Sequence, residues 1–140
     1  MSRYLRRHPA AQFIAPTGAC NAVSRDGAGG RQYAGVDTKL GQVITLRKDN
    51  AEVDALSLVH VRNPGVENRA YIVHSNGYTI VHVGDAQLAY NEEYLRKIDW
   101  GSHAVDLLFV QYVDYTSDTR EIIEKLIKPK HVVLMHIPEG

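Results

Sequence analysis

Residues 70–83 read AYIVHSNGYTIVHV, two short apolar runs joined by Asn76-Gly77. Both residues of that pair tolerate positive φ, which a two-residue hairpin turn requires, so the chain must form an antiparallel ribbon here. Similar short, β-branched runs recur around it: QVITL over 42–46, VDALSLVHV over 53–61, AYIVH over 70–74 and YTIVHV over 78–83. Each predicts a strand.

Beyond residue 86 the pattern changes. LAYNEEYLRKI, 88–98, spaces Leu88, Tyr94, Leu95 and Ile98 among charges, which predicts a surface helix. VDLLFVQYV, 105–113, is almost continuously apolar and predicts a buried strand. TSDTREIIEKLIK, 116–128, offers Ser117 and Asp118 as helix caps and sets Ile122, Ile123, Leu126 and Ile127 at helical spacing. Pro129 stops that helix, and HVVLM, 131–135, predicts a final strand. The expected class is therefore α/β (α+β), a mixed sheet flanked by helices.

The whole chain, residues 1–140, reads as one domain, long enough to bury roughly 68–70% of its unfolded surface. SRDGAGGRQYAG, 24–35, carries four glycines and predicts a flexible loop. It is no phosphate-binding loop, because no strand precedes it and no GK[ST] follows. With 16 basic and 16 acidic side chains the net charge is zero, so no basic stripe awaits nucleic acid or an anionic membrane. The basic RYLRR at 3–7 reads as a solvated helix face. No apolar run reaches the roughly 20 residues of a membrane span, and the first residues lack the apolar core of a secretory signal, so the expected location is the cytoplasm. Cys20 stands alone, which excludes an internal disulfide or a cysteine zinc cluster and favours a small buried hydrophobe.

Three predicted strands end in a residue that can bind metal: His60 after LSLV, Asp85 after TIVHVG, and His136 after HVVLM. In layered α/β folds ligands gather outside the carboxyl ends of strands, so these three ends could surround one point. Alternation places His60 on the face of Leu56 and Leu58, and His136 with Val132 and Leu134, whereas His131 faces the other way. His82 falls opposite Thr79, Val81 and Val83, as a structural or supporting histidine. His8, His74 and His103 lie near predicted ends and turns, where exposure is expected. Taken singly, Asp85 is also a turn residue and His60 and His136 are also core histidines. Both readings stand at this level.

Two longer stretches, LVHVRNPGVENRAYIVHSNGYTIVHVGDA and VDLLFVQYVDYTSDTREIIEKLIKPKHVVLMHIP, resemble the C-terminal half of metallo-β-lactamase-fold hydrolases, on the branch of general metal-dependent hydrolases. The family's histidine after a strand matches His60, its Gly-Asp matches Gly84-Asp85, and its last histidine matches His136. YLRRHPAAQFIAPTGAC is similar to the helix and strand that follow the family's first metal motif. That motif, H-x-H-x-D-H, has no counterpart, since no two histidines stand two apart and no Asp-His pair occurs. The resemblance thus implies half of an αββα sandwich and half of a two-zinc site, with His60 on one metal, His136 on the other and Asp85 as the bridging, catalytic carboxylate.

It also implies a zinc-activated water attacking an ester, amide or phosphate of a small-molecule substrate, impaired in this chain alone. One zinc at most is expected here, on His60, Asp85 and His136, a His₂Asp set with room for a water. Arg62, Asn63 and Asn68 follow His60 and are placed either at the substrate or in a turn; Gly84 and His82 support Asp85. The alternative is a non-catalytic partner subunit. In either case an exposed sheet edge or face predicts a homo-oligomer or a complementary chain, and only a different polypeptide could supply the missing motif.

Overall fold

The computed structural model describes residues 2–25, 33–60 and 65–138. Arg62 and Asn63 lie outside them. Of the expected loop over 24–35, residues 26–32 also lie outside, while Ser24 and Arg25 close a helix and residues 33–35 form a strand, so those five positions are not loop. The chain divides into two compact units, residues 1–37 and 38–140. Among the described residues no helix is long and apolar enough to cross a membrane.

The first unit runs α1 (Ser2–Arg7), β1 (Phe13–Ala15), α2 (Thr17–Arg25) and β2 (Tyr33–Gly35), with β1 and β2 parallel. Arg3, Arg6 and Arg7 are exposed on α1 while Leu5 is buried, so the basic run is a solvated face. Thr17 N–H, at the start of α2, donates to Asp37 Oδ1 at 2.9 Å. Cys20 is buried, its Sγ 3.5 Å from the Ala15 carbonyl, and burial pushes the thiol pKa up. It is packed as a small hydrophobe rather than presented as a nucleophile.

The second unit is a six-stranded mixed sheet whose strands stand in chain order: β3 (Val43–Lys48), β4 (Ala51–Leu58), β5 (Asn68–Ser75), β6 (Tyr78–His82), β7 (Leu107–Gln111) and β8 (His131–Met135). The first four pair antiparallel; β6, β7 and β8 are parallel. Asn76 and Gly77 both take positive φ, +51° and +80°, as the hairpin between β5 and β6 requires. The expected helix over 88–98 resolves into a 3₁₀ turn, Leu88–Asn91, and α3 (Glu92–Leu95), followed by α4 (Trp100–His103). The last helix begins as α5 (Ser117–Glu121) and widens into π-type turns over Ile122–Ile127, where Lys128 N–H donates to the Ile123 carbonyl at 2.8 Å. Its cap is Thr116 rather than Ser117 or Asp118, with Thr116 N–H donating to Thr119 Oγ1 at 3.2 Å.

One face of this sheet carries Leu56, Leu58, Ala70, Ile72, Val81, Leu108 and Val110, buried in one core with Leu88, Leu95, Trp100, Ile122, Ile123 and Ile127. Burial of each such large side chain contributes about 1.5–3 kcal/mol. The opposite face is less covered: Ile44, Ile80 and Val133 are exposed, and Leu107 and Phe109 are only half-buried. The apolar run at 105–113 predicted a strand buried on both sides, but β7 alternates half-buried and buried residues, with Leu108 and Val110 on the face that joins the helix-packed core.

Candidate metal centre

Strands β4 and β6 are both antiparallel to β5, and β7 and β8 are parallel to β6, so β4, β6, β7 and β8 all end at one edge of the sheet. β5 begins there. That topology collects His60 past β4, Asn68 at the start of β5, Asp85 past β6, Gln111 at the end of β7 and His136 just past β8. Four of them, His60, Asp85, Gln111 and His136, line one open cavity of about 360 Å³.

The turn that presents Asp85 depends on glycine. Gly84 has φ +64°, and a Cβ there would stand 2.5 Å from Asn68 Oδ1 and 2.9 Å from the Arg69 carbonyl. Buried Asn68 spans the turn: Asp85 N–H donates to its Oδ1 at 2.8 Å, and its Nδ2 donates to the Val83 carbonyl at 3.2 Å. Asn68 thus serves the turn. His82 accepts the Gly84 N–H on Nδ1 at 3.0 Å and stacks on Phe109, and desolvation lowers its pKa. Gln111 Nε2 donates to Asp85 Oδ1 at 3.1 Å.

His60 is held through its neighbour. Asn91, fully buried, accepts the Val59 N–H on Oδ1 at 2.7 Å and donates from Nδ2 to the Val59 carbonyl at 3.0 Å and the Gln87 carbonyl at 2.8 Å. Its amide continues β4 as a neighbouring strand would, fixing the backbone that carries His60. His136 has φ +55°, a left-handed conformation in which histidine is enriched among non-glycine residues. The alternation that placed it with Val132 and Leu134 therefore stops at Met135, and the backbone reversal directs its ring.

The Asp85 carboxylate stands between the two imidazoles. His136 Nε2 is 3.2 Å from Oδ1 and His60 Nε2 is 4.0 Å from Oδ2. Two atoms bound tetrahedrally to one zinc at about 2.0–2.1 Å stand about 3.4 Å apart. The His136–Asp85 spacing fits, and the His60–Asp85 spacing would have to close by some tenths of an ångström. Each imidazole faces its own carboxylate oxygen, which suits a bridging acid. His60 Nδ1 is buried with no hydrogen-bond partner among the described residues, and Nε2 is the atom turned to the acid.

His131 is exposed, as its parity indicated, and His8 is exposed and stacked on Tyr4. His74 and His103 overturn the expectation of exposure at strand and helix ends. Both are half-buried, and His74 Nε2 lies 3.1 Å from His103 Nδ1. Sequence reasoning also missed Asn91 and Gln111. Their partners are 32 and 26 residues away, and nothing local marks such a contact.

No protein-family model matches the chain, and no curated protein matches it. Solved structures do. A novel metallo hydrolase from the hyperthermophilic archaeon Ignicoccus hospitalis superposes with a TM-score of 0.61 at 20% identity, covering 97% of this chain and 57% of that one. A structure assigned to the Zn-dependent hydrolases of the metallo-β-lactamase superfamily, from Thermotoga maritima, superposes with a TM-score of 0.52 at 15% identity, covering 79% and 52%. The chain has the fold of these proteins, a mixed sheet with flanking helices, and spans a little over half of their length.

Proposed function

We propose that the edge formed by β4, β6, β7 and β8 is the metal half-site of a metallo-β-lactamase-type hydrolase, acting on an ester, amide or phosphate. The observation that carries this reading is the placement of Asp85, one oxygen toward His136 and the other toward His60. Zinc bound there would lower the pKa of its water to about 7 and stabilise the oxyanion formed by attack. This chain's residues would hold and orient the ion: His136 and His60 would supply imidazole nitrogens and Asp85 the carboxylate, whose approach Asn68, Gly84 and Gln111 fix. Asn91 fixes the strand end behind His60.

With H-x-H-x-D-H absent from these 140 residues, this edge alone holds one zinc at most, weakly, centred on His136 and Asp85. Calorimetric titration of metal-stripped protein tests this. His136→Ala should lose the binding at this edge, and an unchanged isotherm would overturn it.

A second reading is favoured by the half-covered sheet face that bears Ile44, Ile80 and Val133. On it, the chain is a non-catalytic subunit whose apolar face is covered by a second copy or by a complementary chain. Metal-dependent turnover of a chromogenic ester or phosphodiester by this chain alone would decide for the hydrolase; metal binding without turnover, together with self-association, would decide for the subunit.

A further inference from the structure

We propose that Asp54, His74 and His103 form a second, separate site for a zinc-class divalent cation, at the far end of the sheet from Asp85. It does not depend on the hydrolase reading. One ligand atom from each of the three residues lies within 4.8 Å of the others, and no other three histidine, cysteine or acidic residues among the described ones, including His60, Asp85 and His136, converge in this way.

The topology explains the convergence. Asp54 in β4 and His74 in β5 share the core-facing side of the sheet with Leu56 and Ile72. Thr79, opposite His74 in β6, continues that side, and α4 ends with His103 above it. The tautomers follow from the hydrogen bonds. Thr79 Oγ1 gives its one proton to the His103 carbonyl at 2.7 Å, so at 3.0 Å it accepts from His74 Nδ1. In a neutral ring with its proton on Nδ1, Nε2 is the accepting nitrogen, and it lies 3.1 Å from His103 Nδ1. That separation is close to the roughly 3.4 Å of two nitrogens on one tetrahedral zinc, and metal-binding histidines donate their other ring N–H to an oxygen acceptor, as His74 Nδ1 does to Thr79.

Asp54 supplies the second, independent observation. It is 7% exposed, one oxygen takes a hydrogen bond from Thr45 Oγ1 at 2.5 Å, and none of the ion pairs among the described residues includes it. A buried carboxylate without a cation is costly, and an ion shared with two imidazoles would neutralise it. Burial and the neighbouring His74 also hold His103 below its ordinary pKa. His74 and His103 line an open cavity of about 590 Å³, which leaves a fourth position for water. Two nitrogen donors with one oxygen select zinc or cobalt over calcium or magnesium.

The test uses the full chain carrying His60→Ala and His136→Ala, which silences the other edge. Titrated with Zn²⁺ by calorimetry and with Co²⁺ by visible absorption, it should bind one equivalent, and adding His103→Gln or Asp54→Asn should weaken binding at least tenfold. No binding by the parent variant, or unchanged binding after His103→Gln, would overturn the proposal. Should those variants fail to fold, nitrogen NMR of the unsubstituted chain decides: Zn²⁺ must shift the ring nitrogens of His74 and His103. Shifts confined to His60 and His136 would refute it.

Discussion

Asn91 shows how one buried amide can carry a functional group it never touches. Its three hydrogen bonds to Val59 and Gln87 leave no room for an apolar substitute. Asn91→Ala strands the Val59 N–H and both carbonyls, and should destabilise the protein by about 2–4 kcal/mol in urea unfolding. Gly84→Ala meets a left-handed φ together with the Asn68 Oδ1 and Arg69 carbonyl contacts, so a loss of about 2–4 kcal/mol is expected in the same measurement. His103 sets a pH dependence. Its pKa is lowered in the fold from 6.5, so between the folded value and 6.5 the unfolded chain binds more protons, and stability should fall as the pH is lowered through that window. Urea midpoints at pH 7.5 and 5.5 should separate in that order, and His103→Gln should narrow the difference.

At the scale of elements, the strands were legible because their apolar stripes are short, β-branched and punctuated by turn residues such as Asn76-Gly77. His60, Asp85 and His136 were legible for the same reason: each follows a stripe, and the order of strands brings those ends together. Contacts between distant elements were not legible, which hid Asn91 and Gln111 as positioning residues and, for Asn68, hid which turn it serves. The far cluster did leave a trace. Asp54 shares parity with Leu56 and Leu58 and so places a charge on a core stripe, which signals a buried acid in need of a partner. The histidines near turns gave no such sign, because their burial comes from α4 packing over the sheet. The final helix ends in wide turns at Lys128, φ +53°, a conformation that glycine adopts without strain. Lys128→Gly should therefore stabilise the protein by about 1 kcal/mol in thermal or urea unfolding, and a loss of stability would place the constraint elsewhere.

The sheet of the second unit has one face that carries the helix-packed core and an opposite face on which Ile44, Ile80 and Val133 are exposed. A surface of that kind promotes association. Light scattering across a hundredfold concentration range should show growth beyond the monomer mass, and a constant monomer would contradict a partner-dependent face. The edge of the same sheet that carries Asp85 is the central claim, because the fold is shared with solved metallo hydrolases while the proposed metal site would rest on Asp85 and its two histidines. Zinc titration of metal-stripped protein, comparing the unsubstituted chain with His136→Ala and Asp85→Asn, measures it directly. The predicted result is two equivalents in the first, the weaker of them missing in both variants while the far site's equivalent remains; the same heats and stoichiometry in all three would contradict the assignment of this edge as a metal centre.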